Sequence, residues 1–448
     1  MRWLSLSAGY VHEVVGGTEA YVHRLNLALR RRSVEAFGAY FTAKPTRAEL
    51  DGVPLVGLPA RRGNPSRMEH WACVPHALKE FEALLVEVRP DVVHFHSTLQ
   101  VHSPEYFELA RGAGAKTLWT FHAHGQTCLQ TALLRNGTEQ CDGRIEPGRC
   151  ARCGLVWSGL PRPIAAFFGT VDLSSLARRV PARFGHPLER RRGVIEFQRR
   201  LSRACASLDH WVVHSRWVRE LLAINALDRS VLELPLPPPE DEPVEPDHSV
   251  WEGAGSRLRM LYAGRLQDKK GPQIPLDALR GPLRDAAVFY VLLSPRHGTS
   301  FEAMLEARVA AEPRARLLPS RNFRGTLAAM AAADVVVVPS LWKETGPYAV
   351  LEAQWVGTSV IGARLGGIAE RLDGDEWSTA FEPPTPDAFA SAVMNLRRDA
   401  GLAARRDRAR GFRQRYLESF QRALGNLLRV VKSPASVPQE PDTSGYDR

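Results

Sequence analysis

The sequence predicts an α/β protein of two doubly wound domains facing a cleft, and three observations carry that expectation. At 448 residues the chain exceeds the size at which one hydrophobic core keeps growing. Short β-branched runs alternate with helical patterns in two separate series, as in parallel sheets covered by helices. Between the series, residues 236–248 read L-P-P-P-E-D-E-P-V-E-P-D-H, a proline- and acid-rich stretch that suits a linker.

In the first series, strands are expected at residues 3–7, 34–41, 91–95, 116–121 and 210–214, with helical patterns at 18–30, 75–88 and 104–111. In the second, strands are expected at 259–264, 287–293, 314–318, 334–338 and 359–362, and the clearest helices at 328–333 and 349–356. The four valines before Pro339 show no alternation, which fits a strand buried on both faces. The expected limits are a first, Rossmann-like domain at 1–235 and a linker at 236–250. A second Rossmann-like domain follows at 251–410, then a helix at 411–432 folding back on the first domain and a disordered tail at 433–448. Inside the first domain lie a cysteine loop at 128–153 and a basic helical insertion at 155–205.

Composition excludes several classes. Hydrophobic content of 44% and charged content of 24% are ordinary for a soluble protein. Residues 1–8 read as a first strand rather than a secretory signal, and Asp334 and Pro339 interrupt the longest apolar neighbourhood, so no membrane span is expected. Six cysteines without an export signal imply reduced thiols in the cytoplasm. Asn136-Gly137-Thr138 then reads as a turn rather than a glycan site. A net charge of +10 calls for an anionic partner. Nine arginines between 178 and 203 face only Glu189 and Glu196, with Trp157, Phe167 and Phe168 just upstream. That mixture suits an anionic membrane surface, with a solvated helical face as the bland reading and RNA as the third.

Residues 339–352, P-S-L-W-K-E-T-G-P-Y-A-V-L-E, hold the main chemical signal. They follow an expected strand at the sheet edge where ligands bind in open α/β folds. Glu344 precedes the turn at Gly346-Pro347 and Glu352 faces out from the helix that follows. Two carboxylates accept sugar or ribose hydroxyls and repel phosphate. About 75 residues earlier, Y-A-G-R-L-Q-D-K-K-G at 262–271 ends a strand in glycine. Arg265 and Lys270 there form a cationic seat for a diphosphate. Together the two motifs describe a nucleoside diphosphate sugar site.

These residues resemble the donor domain of the GT-B retaining glycosyltransferases of family 4, glycosyl transferases group 1. The quoted motifs and Gly366-Gly367-Ile368-Ala369-Glu370 carry the resemblance on the donor side. Gly16-Gly17 before a helix, His122 in T-F-H and residues 213–222 extend it through the first domain. The resemblance implies a GT-B fold and transfer, with retention, from a UDP- or GDP-linked sugar to a glycan or lipid-linked acceptor, a cell-surface polysaccharide intermediate. It implies that Glu344 holds hydroxyls of the moving sugar and Glu352 the ribose. Arg265 and Lys270 would stabilise the leaving diphosphate without a catalytic metal, and Gly17 and Gly346 would lie against the donor. His122 would position sugar or acceptor. His94 and His96 end another strand, with a structural role as the stronger reading. After His122 the chain reads A-H-G-Q-T-C where many relatives carry aspartate, which leaves the acceptor side open.

Cys128, Cys141, Cys150 and Cys153 are spaced C-x12-C-x8-C-x2-C. Four soft thiols, one pair at x2, suit a structural zinc site, with an iron–sulfur cluster or unligated thiols as alternatives. The loop resembles one in a bacterial subset of the family and is read as a stapled lid or acceptor platform. Cys73 and Cys205 are expected to be ordinary thiols. Competing functions are a soluble natural-product or disaccharide glycosyltransferase, and a non-catalytic nucleotide-sugar or nucleic-acid binder. The expected location is cytoplasmic, with peripheral contact at the inner face of the cell membrane through the basic segment.

Overall fold

A computed structural model describes residues 1–12, 16–59, 77–98, 102–171, 182–239, 244–295, 297–396 and 402–433. In chain order the first domain contains β1 (Arg2–Ser7), β2 (Glu35–Thr42), β3 (Thr46–Leu50), β4 (Val53–Pro59), β5 (Val92–Phe95) and β6 (Lys116–Thr120). A small hairpin follows, β7 (Leu134–Arg135) and β8 (Glu139–Gln140), and then β9 (His210–Val213) and β10 (Val231–Glu233). Eight of these strands form one sheet in the order β10-β9-β6-β5-β1-β2-β4-β3, parallel except where β3 runs against β4. Central β1 is buried beyond its first residue, and Trp119 of β6 stacks on Trp211 of β9 at 4.5 Å.

The second domain contains β11 (Leu258–Ala263), β12 (Val288–Ser294), β13 (Ala315–Pro319), β14 (Val335–Val338), β15 (Ser359–Ala363) and β16 (Thr379–Phe381). They form a parallel sheet in the order β13-β12-β11-β14-β15-β16. All four β14 valines are buried, since helices cover both faces. The fold is therefore two α/β domains with parallel-sheet cores. Sequence reading placed nothing at β3, β4 or β16. V-P-L-V-G-L-P in β4 carries proline and glycine signals that argue against a strand, and β3 is an exposed polar edge.

The two domains share a core. The helix Leu402–Lys432 is continuous, so the expected limit at 410/411 falls inside one element. Its Arg405 and Arg408 bind the carbonyls of Ala333 and Gly357 in the second domain. Phe420, Leu424 and Leu427 are buried with Trp3, Tyr21 and Leu25 of the first, beside Leu351 and Trp355. The linker is pinned at both ends: Tyr416 donates to the Leu236 carbonyl at 2.9 Å, and Val250 and Trp251 are buried in the second domain.

The basic insertion needs a correction. Its described helices are Arg162–Thr170 and Ala182–Ala206, which pack against the helix Pro147–Trp157 at the end of the cysteine loop; Ala182–Ala206 buries Leu188, Val194, Phe197 and Leu201. Arg190 is buried and fills the space that a side chain at Gly154 would take. Arg203 is spent on Glu105 and Glu108, and Arg200 on Glu196. Amphipathic packing uses these arginines internally. Arg192 and Arg199 remain exposed; Arg178 and Arg179 lie outside the described residues, as do residues 434–448 of the expected tail.

Candidate functional site

The expected donor-side residues meet where two strand ends are knitted together. After β11 the chain passes Gly264 and exposed Arg265, Leu266 plugs the core, and residues Asp268–Lys270 make one 3-10 turn. Gly271 has φ +71° and sits against the carbonyl of Pro339, which a Cβ would meet at 1.9 Å. No other residue fits that approach. Beside it the Leu341 amide donates to the Lys269 carbonyl at 2.8 Å. The turn and the motif after β14 thus act as one surface.

Glu344 stands at its centre. Its Oε1 receives Lys270 Nζ at 2.8 Å, Ser340 Oγ at 2.7 Å and Trp342 Nε1 at 2.7 Å. Burial alone would raise the carboxyl pKa, but the charge of Lys270 and these hydrogen bonds hold it below the usual carboxylate value. Glu344 is therefore ionised at neutral pH. Lys269 Nζ lies 4.3 Å over the Trp342 ring. Burial, then the charges of Lys270 and Arg265, lower its pKa against the pull of Asp268 and Glu344. Three cations, Arg265, Lys269 and Lys270, gather there. The K-K doublet was visible in the sequence, but spacing cannot say which lysine reaches inward.

Glu352 occupies a place the sequence did not foresee. It lies on the helix Tyr348–Trp355 and, rather than facing out into open space, pairs with Arg24 of the first domain at 3.4 Å. Burial raises its pKa, partly offset by Arg24. The Arg24 guanidinium is 4.2 Å from the Phe323 ring and 4.7 Å from Tyr348, and its Nη1 is buried without a partner. If ribose hydroxyls take Glu352, this pair must be exchanged. Glu352→Ala is expected to weaken donor binding about tenfold or more, by leaving Arg24 buried and unpaired. Arg24→Ala then weakens it further or restores it in part. A titration showing wild-type affinity for both variants rules out Glu352 as a donor contact.

The first domain brings histidines to the opposite wall. His122, at the end of β6, lies 3.1 Å from His96 Nδ1 through its Nε2, so the pair shares one hydrogen bond. Its ring centroid is 4.7 Å from Tyr21 and 5.4 Å from His214. Burial, then nearby His214 and His94, pushes its pKa well below 6.5, so it is neutral. His214 donates through Nδ1 to the Leu234 carbonyl at 2.9 Å, leaving Nε2 buried and unpartnered; burial lowers its pKa to about 4. His94 bonds Thr120 Oγ1 at 2.7 Å. His96 thus belongs to the His122 cluster and His94 to the layer behind it. Gly17 opens the helix Gly17–Arg30, with Tyr348 across the cleft 3.7 Å from where its Cβ would be.

The two walls also touch through residues 341–346 and 370. Thr345 Oγ1 donates to the His122 carbonyl at 3.0 Å, and Ser215 Oγ donates to the Thr345 carbonyl at 2.9 Å. Trp217 Nε1 donates to the Glu344 carbonyl at 2.9 Å. Glu370 accepts from the Arg216 and Trp217 amides, each at 2.8 Å, capping across domains the helix Arg216–Ile224. His124 Nε2 donates to the Lys343 carbonyl at 2.6 Å, and Gln140 to that of Leu341 at 2.7 Å. Gly346 fits closely between Leu236 and His214. Sequence reasoning missed Arg24, Lys269, Ser340, Trp342, Trp217 and His214 because their roles depend on contacts between distant segments.

The four loop cysteines line one cavity of about 40 Å³. Each is half-buried and free of disulfides. Among the described residues, no three His, Cys, Asp or Glu side chains stand in a ready coordination array. Burial pushes the Cys205 thiol up to about 12; Cys73 lies outside the described residues.

Two family models match this chain. "Glycosyl transferases group 1" covers residues 257–399 and "Glycosyl transferase 4-like domain" covers residues 16–153. The first match falls in the second domain and the second match in the first. The residues matched by the glycosyl transferases group 1 model include Arg265, Lys270, Glu344 and Glu352, and those matched by the 4-like model include Gly17, His122 and the four loop cysteines. D-inositol 3-phosphate glycosyltransferase of Corynebacterium glutamicum (strain R) is 32% identical over 31% of this chain and 34% of its own length. The match thus spans about a third of that relative. Glycogen synthase of Thermus thermophilus is 26% identical over 71% of this chain and 76% of its own. Sucrose-phosphate synthase from Thermosynechococcus elongatus has a TM-score of 0.64 at 16% identity, covering 96% of this chain and 99% of that one. HepE of Anabaena in complex with UDP scores 0.60 at 14% identity, over 96% and 100%. At those identities the likeness is one of fold, and that fold is GT-B.

Proposed function

We propose that this chain is a retaining, hexosyltransferase-like enzyme that moves a sugar from a UDP- or GDP-linked donor to a glycan or lipid-linked acceptor, a cell-surface polysaccharide intermediate. The observation that carries the reading is the meeting of opposite chemistries in one cleft. Arg265, Lys269, Lys270 and ionised Glu344 stand on one wall, with Thr345 linking them to His122 on the other. The cations would take up the charge that develops on the departing diphosphate, where preorganised electrostatics count most. Glu344 Oε2 carries no hydrogen bond from the described residues and would accept sugar hydroxyls. Neutral His122 would orient sugar or acceptor by hydrogen bonding, and the leaving phosphate would take the acceptor proton on the same face. The solved HepE complexes with UDP and UDP-glucose support the donor class.

A lipid-linked acceptor is favoured by the surface of the insertion. Trp157, Ile164 and Phe167 are 41%, 48% and 59% exposed on helices that pack against the one bearing Arg192 and Arg199. Among the described residues no helix is long and apolar enough to cross a membrane, so contact at the inner face of the cell membrane would be peripheral. The test is a thermal-shift screen of nucleotide sugars, then mass spectrometry of products formed with lipid and aqueous extracts. A diphosphate-dependent shift and a glycosylated lipid are expected. No shift with any nucleotide sugar or nucleoside diphosphate overturns the donor assignment, and transfer confined to aqueous acceptors overturns the lipid one.

A further inference from the structure

We propose that Cys128, Cys141, Cys150 and Cys153 bind one zinc ion that staples the loop between β6 and the helix Pro147–Trp157. The inference stands on geometry apart from the cleft. The fold brings four thiols from a span of 26 residues to one small cavity, closed by Leu134 and Phe197. Cys150 and Cys153 sit one turn apart on the helix, Cys128 follows the 3-10 turn His124–Gln126, and Cys141 follows β8.

The surroundings offer the sulfurs N–H donors and positive charge. The Asn136 amide donates to Cys153 Sγ at 3.3 Å and the Gly143 amide to Cys141 Sγ at 3.4 Å. Such N–H···S bonds orient and tune ligating sulfurs. Asn136 and Gly137 hold positive φ, so the hairpin turn is what aims the first of them. Arg149 Nη2 lies 3.5 Å from Cys141 Sγ, and buried Arg190 packs against Gly154, the residue after Cys153. On binding, four thiols would release four protons to solvent, and four thiolates around one divalent ion would leave a dianionic centre, which those arginines offset. The sulfurs must draw inward to close the tetrahedron. A single ion suits so small a space better than an iron–sulfur cube.

The staple has a mechanical consequence. His124 and Gln140, which hold the carbonyls of Lys343 and Leu341, lie within the segment that the four sulfurs tie down. Exposed Trp157 ends the helix that carries two of them. The metal would thus fix, from one point, a contact to the donor loop and part of the apolar surface.

Elemental analysis of the full chain purified without chelator is expected to give one zinc per chain. The Cys150→Ser, Cys153→Ser double variant should lose it and become protease-sensitive between 128 and 153, whereas Cys205→Ser keeps it. Should the double variant not fold, an organomercurial titration of wild type beside a zinc indicator reads the same point: zinc should appear as four thiols are consumed. Substoichiometric metal, or thiols that titrate without releasing zinc, overturns the proposal. Iron with acid-labile sulfide overturns it in favour of a cluster. None of these outcomes depends on whether donor binds.

Discussion

Lys270→Ala and Glu344→Gln are each expected to lower turnover about 100-fold or more, since losing one transition-state electrostatic contact costs about 3 kcal/mol. The structure adds a reason to expect coupling. Lys270 and Glu344 are bonded to each other, so removing either strips its partner of its counter-charge. The double variant should therefore lose less than the product of the single losses. Measurement of kcat and KM with a verified donor separates the roles: Lys270→Ala should act on kcat, because its charge meets the leaving group. Wild-type kcat in Lys270→Ala would falsify the diphosphate assignment. His122 is neutral well below pH 6.5, so no activity limb near neutral pH should trace to it, and His122→Gln should leave the profile's shape intact while lowering its height.

Gly271→Val is expected to destroy the donor-side surface. A non-glycine residue at φ +71° costs about 1–3 kcal/mol in backbone strain alone. The new Cβ would also meet the Pro339 carbonyl at 1.9 Å, and the backbone must then separate the Lys269 carbonyl from the Leu341 amide. Lys270 and Glu344 would part with it. The thermal transition of the donor domain should fall by about 2–4 °C for each kcal/mol lost, and donor binding should disappear. Gly271→Ala should show the same direction at smaller size. Unchanged melting and affinity in the valine variant would mean that the two loops do not act as a unit.

Much of the fold was legible because burial on both faces of a sheet writes itself as unbroken β-branched runs. The four valines of β14 could be placed from sequence, and so could the helix Gly17–Arg30. Strand β4 could not, because its prolines and glycine speak against a strand until β2 and β3 are seen on either side. The arginine run misled in part. Charge density along a chain does not reveal that Arg190 turns inward while Arg192 turns out, because that depends on which helix face meets its neighbours.

The same division holds at the site. The sequence by itself determined which chemical groups follow the strand ends: a glycine, an arginine and lysines in one loop, carboxylates in another, a histidine in a third. Those are local properties, set by residue type and by where a parallel sheet puts its loops. Only the tertiary structure decided how they pair. Lys270 bonds Glu344 across 74 positions, Arg24 claims Glu352 across 328, and Glu370 caps a helix 154 positions earlier. Hydrogen bonds act over about 3 Å, and no periodicity in a chain encodes which distant atoms will come that close.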